Sequence, residues 1–184
     1  MPITTLAQRV LSHLPRLGLI YEDMTPIPDL LEQVRLASPT ELCEGAISDP
    51  VMTELVRAGL LLVSGGLDEA HRIVQPIEVP EAYYWHAIVH RLEPDWANAK
   101  YWFRRLGRHA VFEELATPAI RAALPGTAVL EHVLTDGRLD PFRVVDLCEA
   151  CVNGTAPILR HELEALQREE IARLLHTCLR SAKV

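Results

Sequence analysis

Most of the side chains that could hold a ligand or an ion in this sequence fall between residues 83 and 105, in the stretch YYWHAIVHRLEPDWANAKYWFRR. All 3 tryptophans of the chain are there, beside His86, His90, Arg91, Glu93, Asn98, Lys100, Arg104 and Arg105. His86 and His90 are four residues apart, so on a helix their rings share a face, and Glu93 follows three residues later along the same stripe. Two imidazoles and a carboxylate can hold zinc with a position left for water, or iron as a facial triad. The glutamate does not lie between the histidines as it does in the HExxH zinc motif, and Pro94 biases Glu93 away from helical backbone. The expected metal ligands are His86, His90 and Glu93, and a divalent transition metal is the one cofactor that these residues suggest.

The same block supports two further readings. Ala87 marks the helix face that meets a neighbouring helix, and Tyr83 and His90 share that face. His90 is then a buried neutral histidine bonded to Asn98 or Tyr101, inside a polar network that locks two helices together. Alternatively the block lines a pocket for a small molecule or peptide, where aromatic faces supply area and Arg91, Lys100, Arg104 and Arg105 hold an anionic group. The residues expected to line such a pocket are Tyr84, Trp85, His86, His90, Arg91, Asn98, Lys100, Tyr101, Trp102 and Arg104.

Elsewhere the chemistry is sparse. Cys148 and Cys151 form a CxxC, but inside the helical run VVDLCEACV and without a second pair, which points to core packing rather than zinc or redox use. His71, His109, His132, His161 and His176 are scattered and can join a site only through the fold. The run Arg168-Glu169-Glu170 reads as a solvated helix face. No glycine-rich phosphate loop, nucleophile elbow or zinc-protease motif is present.

The elements that must position these residues are helices. Ser38-Pro39, Asp49-Pro50 and Asp140-Pro141 each place a capping side chain before a first-turn proline, and Ser38 with Glu41 makes a capping box. The pattern predicts helices over about 4–14, 28–36, 39–47, 50–64, 67–75, 81–93, 96–106, 111–123, 127–134, 141–152 and 157–182. One rival stands: TAVLEHVL followed by Asp136-Gly137 also fits a strand and turn. The last helix is amphipathic, with Leu159, Leu163, Leu166, Ile171, Leu174, Leu175, Cys178 and Leu179 on one stripe. The fold class expected is all-α, built of antiparallel helical hairpins in a single domain over residues 1–184.

Composition narrows the partners. A formal charge of -7 argues against general nucleic-acid binding, since phosphate neutralisation needs a basic surface. The apolar stretch near Leu55 to Val63 is too short to span a membrane. The first residues do not read as a secretory signal, so a cytoplasmic location with reduced thiols is expected, for a monomer or homodimer.

The chain also repeats itself. In VMTELVRAGLLLVSGGLDEAHRIVQPI and AYYWHAIVHRLEPDWANAKYWFRRLG the pairs Ala58/Ala70 and Ala87/Ala99 are each twelve residues apart, and Gly65-Gly66 aligns with Pro94-Asp95. This resembles the tetratricopeptide repeat across residues 51–110, and the resemblance implies two antiparallel hairpins in close contact. The offset of twenty-nine residues is shorter than that family's repeat, and Ala82 and Val111 stand where its closing proline would be. The YWHAIxHRxEPDxxNAKYW-type block, with LDEAH before it and DPFRVVDLC after it, is similar to that of a group of small bacterial proteins with no assigned activity. That likeness implies no function. The leading expectation is a non-enzymatic small-molecule or protein-binding scaffold using the central cluster. The alternative is a metal-dependent, hydrolase-like enzyme using His86, His90 and Glu93.

Overall fold

Pro28, Pro39, Pro50, Pro80, Pro118 and Pro141 each open a helix, where a missing amide hydrogen costs nothing and the fixed φ is already helical. The computed structural model describes residues 5–43 and 45–183, and among these the protein is all-α apart from one small hairpin. The helices are α1 (Leu6–Leu11), α2 (Pro28–Leu36), α3 (Pro39–Cys43), α4 (Pro50–Ser64), α5 (Leu67–Val74) and α6 (Pro80–Leu92). They continue with α7 (Trp96–Leu106), α8 (Ala110–Glu114), α9 (Pro118–Ala123), α10 (Ala128–Val133), α11 (Pro141–Val152) and α12 (Arg160–Ala182). The expected caps are in place. Asp49 accepts from the amides of Val51 and Met52 at 2.8 and 3.0 Å, and Asp140 from that of Phe142 at 2.9 Å. Ser38 and Glu41 bond each other's backbone amides reciprocally.

Two helices lie inside: α4 because it is apolar nearly all round, and α6 although it carries His86, His90 and Arg91. In α4 every residue from Ala58 to Ser64 is buried, and in α6 every residue from Tyr84 to Leu92. α4 packs against α12 and α5, and α6 packs most extensively against α7 while also touching α4 and α5. Gly59 sets the approach of α4 to α6, since a Cβ there would lie 2.7 Å from Cζ2 of Trp85. Ala58, Ala70, Ala87 and Ala99 are all buried. So are the four cysteines, and burial pushes the thiols of Cys148 and Cys178 up to about 12, which makes them poor nucleophiles.

Four expectations change. The helix expected over 111–123 divides, because Pro118 cannot donate an amide to a continuing helix and Thr117 before it is extended. The segment 127–134 is helical through Val133, then forms an antiparallel ladder of Leu134 with Leu139 and Thr135 with Arg138. Asp136 and Gly137 between them have φ of 52° and 76°, the two left-handed positions that a tight hairpin turn needs. The helix expected over 39–47 ends at Cys43; Glu44 lies outside the described residues, as does residue 4 of the first expected helix, and Ile47 pairs with Lys183 in an isolated bridge. Lastly, Glu170 does not belong to a solvated face. It is 1% exposed on the inner side of α12 and bound to Arg91.

Candidate metal centre

α6 carries His86 and His90 toward α5, and α5 carries His71 toward them. Nε2 of His71 lies 2.8 Å from Nε2 of His86. The rings of His86 and His90 are stacked at 4.9 Å and 13°, the consequence of their four-residue spacing. His71 stands edge-on to both, with centroids 4.7 and 4.8 Å away. One nitrogen from each of the three rings lies within 4.8 Å of the others. Trp102 of α7 lies parallel to His86 with the ring centroids 3.9 Å apart.

The turn from α6 to α7 brings two carboxylates to the same place. The Asp95 amide donates to the carbonyl of His90 at 2.9 Å, folding the chain back over the end of α6. Asp95 then caps α7 through the amide of Asn98 at 3.2 Å. Oε1 of Glu93 is 3.7 Å from Nδ1 of His71, Oε2 is 3.3 Å from Nδ1 of His90, and Oδ2 of Asp95 is 3.7 Å from that same nitrogen. These are electrostatic contacts without hydrogen-bond alignment, and Nδ1 of both His86 and His90 is buried with no hydrogen-bond partner among the described residues. His86 is 3% exposed, whereas the side chain of His71 is 25% exposed, so the cluster meets solvent on the α5 side.

Burial, then the neighbouring His71 and His90, push the pKa of His86 down to about 3. Burial and His71 also lower that of His90, against the pull of Glu93 and Asp95. Both rings are therefore neutral at neutral pH, the form in which an imidazole has a lone pair for a metal. Three imidazole nitrogens converging on one point is the ligand type and count of a zinc site with a vacant fourth position. A tetrahedral ion with bonds of about 2.0–2.1 Å needs ligand nitrogens about 3.3 Å apart. His71 and His86 must therefore separate slightly, giving up the proton between them, to admit one.

No family model, curated protein or solved structure matches the chain.

The residues expected to act together are divided among three places. His86, His90 and Trp102 belong to the cluster, with Glu93 behind the histidines on their Nδ1 side. Tyr84, Trp85 and Arg91 point into the protein: Tyr84 donates to Oε1 of Glu170 at 2.9 Å, and the guanidinium of Arg91 is paired with the same carboxylate. Burial opposes the charge of Arg91, yet Glu170 holds its pKa above the usual value. Asn98, Lys100, Tyr101 and Arg104 lie on the outer side of α7. Asn98 donates to Asp95, Lys100 pairs with Asp146, and Tyr101 is 46% exposed. His90 approaches Glu93 and Asp95 rather than Asn98 or Tyr101.

His71 is the member that sequence reasoning set aside. The one hint of it is its place directly after Ala70, whose small side chain marks the packed face of the helix they share. Of the other scattered histidines, His132, His161 and His176 are exposed, and His109 caps α8 near Glu81.

Proposed function

We propose that this protein binds a divalent transition-metal ion, zinc by ligand type, through His71, His86 and His90. The observation that carries the reading is the convergence of three imidazole nitrogens within 4.8 Å, two of the rings buried and neutral. Three neutral ligands leave the ion its full charge and one position for water or an incoming group. Such an ion lowers the pKa of bound water toward 7 and polarises carbonyl or phosphoryl oxygens, so the proposed activity is metal-assisted hydrolysis. This keeps the enzyme alternative drawn from the sequence but changes its ligand set, with His71 entering and Glu93 moving behind. His86 limits the affinity: with Nε2 on the metal, its Nδ1–H faces no acceptor, at a cost of about 1–3 kcal/mol.

The non-enzymatic scaffold is the second reading, favoured by the 2.8 Å contact between His71 and His86. A hydrogen bond of that length joins α5 to α6 with no ion. On this reading α4–α7 form two tetratricopeptide-like hairpins, and the burial of Ala58, Ala70, Ala87 and Ala99 supports that packing.

Metal analysis of purified protein, followed by zinc titration of chelator-treated protein, separates the two. The metal reading expects about one ion per chain and a change in Trp102 fluorescence on binding. It also expects His71→Ala to abolish stoichiometric uptake. No uptake by the wild-type protein leaves the scaffold.

A further inference from the structure

Resting on the metal reading, we infer that Glu93 is a positioning residue: its single carboxylate orients two of the three metal-binding histidines from behind and is not itself a ligand. The geometry carries this. The two oxygens of Glu93 face different rings, Oε1 toward Nδ1 of His71 at 3.7 Å and Oε2 toward Nδ1 of His90 at 3.3 Å. A carboxylate placed there favours the proton of each neutral ring on Nδ1. That makes Nε2 the lone-pair nitrogen of both rings, on the side away from Glu93, where Nε2 of His71 already faces that of His86. An ion bound at Nε2 makes the Nδ1–H a stronger donor and draws it onto Glu93, the carboxylate–histidine–metal arrangement found around many such ions.

The alternative role, Glu93 as a third ligand beside His86 and His90, conflicts with these contacts. Reaching the ion requires the carboxylate to leave the Nδ1 side of His90 and pass around the ring. The fold also holds Glu93 where it is. Its amide donates to the Val89 carbonyl at 3.0 Å, and the next bond of the turn ties Asp95 to His90 at 2.9 Å. Asp95 reaches only His90, and its carboxylate is already engaged by Asn98, so one residue serves both histidines. Because those histidines come from α5 and α6, Glu93 also sets the two helices in the register that an ion requires.

Glu93→Gln tests this, since the amide keeps the shape but can accept a proton with only one of its two ends. Cobalt(II) titration followed by visible absorption reads stoichiometry, affinity and ligand field together. The expected result is one cobalt per chain with absorption bands where the wild type has them, and an affinity about 10- to 100-fold lower. His71→Ala, which removes a ligand, should change or abolish the bands. In metal-free wild-type protein, long-range proton–nitrogen NMR of the imidazoles should find His71 and His90 protonated at Nδ1. Bands in Glu93→Gln that shift or vanish as they do in His71→Ala would make Glu93 a ligand and overturn the inference. An unchanged affinity, or Nε2-protonated His71 and His90, would overturn it too. Failure of the wild-type protein to take up cobalt removes the metal reading itself, a result distinct from these because it is seen before any variant is made.

Discussion

Adjacent residues on α6 open onto two polar clusters of opposite character. Arg91 points inward to a closed network in which Glu170 accepts from both the guanidinium and the Tyr84 hydroxyl, all of it buried. His90 points toward α5 into an open cluster, where Nδ1 atoms lack hydrogen bonds and one ring reaches solvent. The closed network balances its charge and can only hold α12 against α6. The open one brings a nitrogen from each of three imidazoles within 4.8 Å of the others. The difference shows that a concentration of polar side chains in one stretch of sequence is not one site: a helix sends alternate members of it to different neighbours.

The largest expected effect lies on the closed side. Arg91→Met or Glu170→Leu alone strands a buried charge and should destabilise by about 3–5 kcal/mol in urea denaturation. The double variant should cost less than either single change, because neither charge then remains. Equal or greater cost in the double would mean that the pair is not the unit holding these helices.

Packing beside the two clusters comes next. Gly59→Ala sets a methyl against Trp85, and Ala87→Leu places a larger side chain at a fully buried position, so each should cost about 1–3 kcal/mol. Thermal melts measure it, and unchanged melting temperatures would remove the close approach of α4 and α6 and the two-hairpin reading.

Acid should act on the open cluster. His86 titrates near 6.5 when unfolded and about 3 when folded, and the pKa of His90 is lowered as well. Above pH 6.5 neither state binds the proton and nothing is lost. As the pH falls below 6.5 the unfolded chain takes up protons that the folded rings refuse. Stability of the metal-free protein therefore declines, by at most about 1.4 kcal/mol per pH unit for each histidine, until the folded pKa is reached. Urea titrations from pH 7 to 4 should show a shallower decline in His86→Gln than in the wild type. An identical slope would assign the acid sensitivity to other groups.

The smallest effect is expected at Arg104, exposed on the outer side of α7. Arg104→Met should stay within about 0.5 kcal/mol of the wild type, against the large loss for Arg91→Met. Similar losses in both would erase the distinction between the inner and outer cations of the block.

The sequence specified the helical class and most of the helix starts, because caps and first-turn prolines act over three or four residues and carry their physics locally. It also determined that His86 and His90 share a face, a consequence of helical periodicity alone, and that the cysteines of the CxxC lie in a helix. The rest depends on how the helices pack. Whether Glu170 faces water or Arg91 depends on which side of α12 meets α6, and a charged residue beside an apolar stripe reads the same in either case. His71 joins the cluster because α5 lies across α6, fifteen residues away along the chain, and no local pattern records that crossing. Glu93 lies behind the histidines rather than among them because the turn after α6 leaves the helical path. Pro94 already marks where the helical path ends, but on which side of the rings the carboxylate then falls depends on how α7 docks.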